Sequence, residues 1–201
     1  MNFNELASLV AIALTVIGSA PYIAAIHKRT VKPHFFSWVI WSVTTGVVSI
    51  AQLSAEGGVG AWPTMVSAIA TFYVAGLSWF LRSDISITRL DFGFLIASFA
   101  ALPVWFFTSD PLWSVVILTI VDVLGFGPTL RKAYSHPYEE SLQFYVLFTI
   151  RSFLSVLALE TFNLTTVLFP AAMVVSCFIG SALLWWRRKT LAEVLAAKER
   201  S

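Results

Sequence analysis

The sequence predicts an all-α integral membrane protein, with seven transmembrane helices in a 3+1+3 parallel-repeat arrangement. Three observations carry that expectation. The chain is 58% apolar and 12% charged over 201 residues, with a mean hydropathy of +0.80. A soluble domain is about 45–50% apolar and about 25% charged. Seven apolar stretches, near 5–27, 34–55, 60–81, 89–107, 112–133, 142–160 and 164–186, each supply 19 to 23 residues. A helix that crosses a bilayer needs roughly 20. The first three and the last three of these stretches also align at one constant offset of 107 residues. Such numbers exclude a soluble enzyme, a nucleic-acid binder and a disordered scaffold, and no segment outside the spans is long enough to fold alone.

Taken in order, each span has its own signals. The first opens on Met1-Asn2-Phe3-Asn4-Glu5, which lacks the positive region of a cleaved signal peptide, so it is expected to remain as a helix; Lys28, Arg29 and Lys32 follow it. The second ends near Glu56, with no cation beside it. The third starts at Trp62-Pro63 and ends at Trp79, ahead of Arg82. Arg89 introduces the fourth, which has no counterpart at the offset and reads as a linker. The fifth runs into Arg131 and Lys132, the sixth ends near Glu160, and the seventh ends on Trp185 and Trp186 before Arg187, Arg188, Lys189, Lys198 and Arg200. If the spans alternate, twelve of the thirteen Lys and Arg residues lie on one side of the membrane. Positive charge stays on the cytoplasmic side. The expected topology is therefore N-terminus out and C-terminus cytoplasmic, in a plasma or inner membrane. Trp62, Trp105 and Trp113 near one set of ends, and Trp79, Trp185 and Trp186 near the other, fit interfacial anchoring.

At the 107-residue offset, Gly18 meets Gly125, Pro21 meets Pro128, Pro63 meets Pro170, and Trp79 meets Trp186. Identity is low, nine of the 76 positions from Ala7 to Arg82, but glycine and proline are costly inside helices and rarely placed by accident. One linker helix between two three-helix units makes the units parallel, with a solute site expected near mid-depth between them. The implied organisation is 1–82 as the first repeat, 83–110 as the linker helix, 111–189 as the second repeat, and 190–201 as a cytoplasmic tail. Proline removes a helical hydrogen bond and clashes with the preceding turn, so Gly18 with Pro21, and Gly125 with Pro128, are candidate hinges.

Two charges, Asp122 and Arg151, fall at membrane depth, where charge is expensive and marks function by default. The spacing places both near mid-depth on sequential helices, and the expectation is that they pair. Their counterparts at the offset are Thr15 and Thr44. Such a pair would lock spans five and six, or hold a zwitterionic or polar solute, with Asp122 a candidate carrier of a coupling proton. Thr45, Ser49, Ser67, Tyr73, Ser152, Ser155 and Ser176 offer hydroxyls on the same helices, although helical Ser and Thr often bond their own i−4 carbonyl. Trp38, Trp41 and Tyr145 are candidates to stack on a ring. The lone Cys177 lies in the last span, so no disulfide or thiolate metal site is expected. No cofactor, metal or nucleic-acid partner is implied, and no HExxH, GxSxG or paired-His pattern points to an enzyme. The expected partners are the lipid bilayer and a small polar solute; an oligomer is compatible with the sequence.

With these residues quoted, the chain resembles a family. Gly18-Ser19-Ala20-Pro21-Tyr22-Ile23 through Lys28-Arg29-Thr30, and Gly125-Phe126-Gly127-Pro128-Thr129-Leu130-Arg131-Lys132, set on a 3+1+3 plan, look like the PQ-loop superfamily with its SWEET-like transporters. The family's Pro-Gln is Pro21-Tyr22 and Pro128-Thr129 here: proline is kept and glutamine is lost in both. The resemblance implies hinges at the two prolines and a transporter that moves a sugar, an amino acid or a nucleoside-like solute by alternating access. It also admits a receptor or sorting protein of the KDEL-receptor type, or a helper subunit without transport.

Overall fold

The computed structural model describes residues 2–29, 35–81, 89–135, 137–138 and 141–199. Among these the chain is wholly helical: α1 (Phe3–His27), α2 (Phe35–Ser54), a 3-10 turn (Gly58–Ala61), α3 (Trp62–Phe80), α4 (Arg89–Thr108), α5 (Pro111–Ser135), α6 (Leu142–Leu157) and α7 (Leu164–Glu199). Phe3–His27, Phe35–Ser54, Gly58–Phe80 and Leu164–Glu193 are each long and apolar enough to cross a membrane. The sixth span is shorter than its apolar run. The α6 helix stops at Leu157 after 16 residues, about 24 Å at 1.5 Å per residue, because Ala158–Asn163 turn the chain back toward α7. The α7 helix instead runs 36 residues, so the basic segment after Trp186 continues one helix.

Polar side chains start these helices where the sequence breaks. Asn2 Oδ1 accepts from the Glu5 amide at 2.8 Å, and Glu5 Oε2 accepts from the Asn2 amide at 2.9 Å. That reciprocal box satisfies two of the amides a helix leaves unpaired at its N-terminus. Asn163 and Thr166 do the same for α7, at 3.0 and 3.1 Å. Asp110 Oδ1 accepts from the Leu112 amide at 2.9 Å, with Pro111 as the first residue of α5.

Burial is inverted relative to a protein in water. Ile69, Phe72, Phe80, Phe106, Phe107, Phe178 and Trp185 point outward, while Thr15, Thr44, Gln52, Asp122, Arg151, Ser152 and Ser155 are buried. Lipid is as apolar as leucine, so nothing drives large apolar groups inward, and small residues with hydrogen bonds carry the helix packing. Many buried hydroxyls turn onto their own helix: Thr15 donates to Ala11 O, Thr44 to Ile40 O, Thr119 to Val115 O and Ser78 to Val74 O, at 2.7–2.8 Å.

Packing does not follow chain order. The α3 helix lies against both α1 and α2, and α7 lies against both α5 and α6. Across the bundle α1 packs on α6 and α2 packs on α5, while α4 sits against α5 and α2. Among the described residues, neither α1 with α2 nor α5 with α6 forms a substantial contact.

Candidate functional site

That packing overturns the expected ion pair. Asp122 and Arg151 are both buried, at 7% and 3% exposure, but α5 faces α2 and α7 rather than α6. Arg151 reaches across to the first three helices. Its Nε donates to Thr15 Oγ1 at 3.0 Å, and its Nη2 donates to Pro63 O at 2.6 Å and to Ser67 Oγ at 2.7 Å. Pro63 lies in the first turn of α3, where its missing N–H costs no intrahelical bond, and its carbonyl oxygen has two lone pairs, so it can accept from the guanidinium as well as from its own helix. The Phe148 ring lies 5.7 Å from the guanidinium carbon. Asp122 lies beside Thr44 of α2, whose hydroxyl donates to Ile40 O of its own helix at 2.8 Å. Its Oδ1 is buried without any partner.

The partners are those of an exchange. Thr15 is the counterpart of Asp122 at the 107-residue offset, and Thr44 is the counterpart of Arg151. Arg151 therefore bonds the threonine that stands at the aspartate's position in the opposite half, and Asp122 lies beside the threonine that stands at the arginine's position. The lone Cys177 is buried on α7, which packs against both α5 and α6. No cluster of His, Cys, Asp and Glu that would hold a metal occurs among the described residues.

Other residues singled out by sequence are placed elsewhere. Tyr73 does not join this centre: it is 48% exposed and its hydroxyl lies 2.9 Å from His27 Nε2. Trp41 is half-buried and stands edge-on to Trp38, which stacks on Tyr22, both at 5.2 Å between ring centroids. Gly18 and Gly125 differ. A Cβ on Gly18 would meet the Phe148 ring at 2.9 Å, whereas one on Gly125 meets nothing within 4 Å. Gly18 thus lets α6 approach α1, which is a packing role that the hinge expectation left out. The α1 helix continues through Pro21. The backbone at Pro128 is helical within α5, but its side chain lies outside the described residues. A small apolar cavity of about 110 Å³ opens beside Thr15 between α1 and α3, lined also by Ser19, Ile23, Val66 and Ala70.

The end of the bundle that carries Asn2 is sealed between the first three and the last three helices. Gln52 Nε2 donates to Thr166 O at 2.8 Å, Ser155 Oγ to Gly60 O at 2.9 Å, and Asn4 Nδ2 to Leu159 O at 3.3 Å. The Glu160 amide donates to Gly57 O and the Val59 amide to Glu160 Oε1, both at 3.3 Å. Gly58 takes φ +59°, the left-handed region in which glycine carries no steric cost. At the His27 end, His27 bonds Tyr73, Arg187 donates to Tyr134 O, and Arg188 donates to Pro137 O. Sequence reasoning missed this seal. A buried amide at Gln52, inside an apolar span, and the Gly57-Gly58-Val59-Gly60 turn were its available signals.

Gln52→Leu should lower stability by about 1 kcal/mol, the net worth of one such bond, and more if Thr166 O is left unsatisfied. Unfolding of the detergent-solubilised protein measures it; an unchanged midpoint would remove Gln52 from the seal. No family model, curated protein or solved structure matches this chain.

Proposed function

We propose that this protein is a membrane transporter that moves a small polar solute by alternating access, built as two parallel three-helix repeats joined by α4. The reading sets the N-terminus outside and the sealed Asn2 end toward the exterior. The observation that carries it is the exchange at mid-depth, in which Arg151 meets Thr15 and Asp122 meets Thr44 across the bundle. A two-fold relation between 1–82 and 111–189 accounts for that exchange. It also accounts for the recurrence of α1-α3-α2 adjacency as α5-α7-α6, and for the matched contacts of α1 with α6 and α2 with α5. Buried polar groups at such an interface suit a solute site.

Counterflow in proteoliposomes tests the reading: protein loaded with unlabelled solute should concentrate the labelled form. Binding without exchange, for every solute that binds, would instead make the chain a receptor. Within this reading Pro21 and Pro128 are hinges. Pro21→Ala combined with Pro128→Ala should slow exchange about tenfold or more while solute affinity stays within a few-fold, since the hinge acts on the barrier between states rather than on the site. Full exchange by the double variant would make both prolines packing features.

A further inference from the structure

Two opposite charges are buried in the bundle, and neither has a charged partner among the described residues. Arg151 spends Nε and Nη2 on Thr15, Pro63 and Ser67, which leaves both N–H groups of Nη1 without an acceptor among the described residues. Asp122 keeps Oδ1 bare although the residue is more than nine-tenths buried. The arginine sits on α6 and the aspartate on α5, and α7 packs against both helices. A buried charge is tolerated when something pairs with it, and here the missing partners have opposite signs.

We propose that the solute is zwitterionic, with its carboxylate taken by Arg151 and its ammonium by Asp122. The inference rests on the transporter reading for the site but not for the chemistry. Guanidinium and carboxylate match in shape, and two N–H groups on one nitrogen with the adjoining donors in a plane suit a carboxylate far better than a hydroxyl. The bare Asp122 oxygen accepts from a cation and cannot discriminate among neutral hydroxyls with comparable strength. A zwitterion satisfies both ends and adds no net charge to the membrane interior. A monoanion leaves Asp122 unpaired, a monocation leaves Arg151 unpaired, and a sugar leaves both. The chain between the two charges of the solute would lie against Cys177 and Thr44.

The test uses the full-length purified protein and a ladder of charge spacing: glycine, β-alanine, 4-aminobutyrate and 5-aminovalerate, with propionate, propylamine and glucose as partners lacking one charge or both. Binding is read by tryptophan fluorescence and flux by counterflow. At least one member of the ladder should bind about tenfold or more tightly than propionate or propylamine, a difference of one charged contact. Asp122→Asn, nearly isosteric, should bring that member down to the affinity of propionate while leaving propionate itself unchanged. Arg151→Lys, which keeps the charge but loses the fork, should weaken propionate and the zwitterion together. Equal binding of zwitterion and single-charge analogues, or an Asp122→Asn variant with unchanged zwitterion affinity, overturns the proposal. Exchange of glucose without any zwitterion overturns it and leaves the transporter standing. Zwitterion binding without flux upholds it and removes the transporter. A panel in which nothing binds overturns it as well.

Discussion

Arg151→Ala should destabilise the bundle more than removal of any single hydroxyl at mid-depth. The truncation strips donors from Thr15 Oγ1, Pro63 O and Ser67 Oγ together. Each orphaned buried acceptor costs about 1–3 kcal/mol, so a loss of about 3 kcal/mol or more is expected, read as a fall in the midpoint of unfolding in mixed micelles. Ser67→Ala, which removes one acceptor and leaves the guanidinium two, should cost about 1 kcal/mol. Equal midpoints for Arg151→Ala and Ser67→Ala would mean that the guanidinium is not what ties α6 to α1 and α3.

Gly60→Ala should break the seal at the Asn2 end. A Cβ at Gly60 would stand 2.6 Å from both Cα and N of Leu159 and 2.8 Å from the carbonyl carbon of Ala158. These are backbone atoms, which cannot rotate away as a side chain does. Overpacking of this kind costs about 1–3 kcal/mol, and the strain is relieved by parting the 3-10 turn from the α6–α7 connection. Ser155 lies under that contact, donating to Gly60 O. In a Ser155→Cys reporter, the added Gly60→Ala change should raise the rate of labelling by a membrane-impermeant thiol reagent several-fold. Unchanged labelling with unchanged stability would show that the two segments part without cost and seal nothing.

The helices themselves were readable from the apolar runs: six of the seven expected stretches match a helix to within a few residues, and, among the described residues, four of the helices are long and apolar enough to cross a membrane. The burial of Asp122 and Arg151 was readable as well, since a charge on an apolar helix turns inward. Their partners were not. In lipid, the side of a helix that faces its neighbour carries no clear hydrophobic contrast, so the sequence held little to say that α5 turns toward α2 while α6 turns toward α1. Nearness along the chain was the wrong guide for sequential helices separated by a third. The offset held the answer in another form, since it paired Asp122 with Thr15 and Arg151 with Thr44 before any helix was placed. Pro63 O shows a different limit. A backbone acceptor becomes specific only when a distant side chain arrives at it. Tyr73 shows a third, because a tyrosine near a helix end reads alike whether it lines a cavity or bonds a neighbouring histidine at the surface.

Cys177 deserves a second use. The chain has one cysteine, and it sits beneath the protein surface on the helix that packs against both α5 and α6. Most membrane proteins must be stripped of native thiols before one can be planted where motion is to be watched. Here the unaltered molecule carries a single chemical clock at its centre. The rate at which a small reagent reaches that sulfur, from one face of the membrane or the other, tests whether the interior opens and to which side.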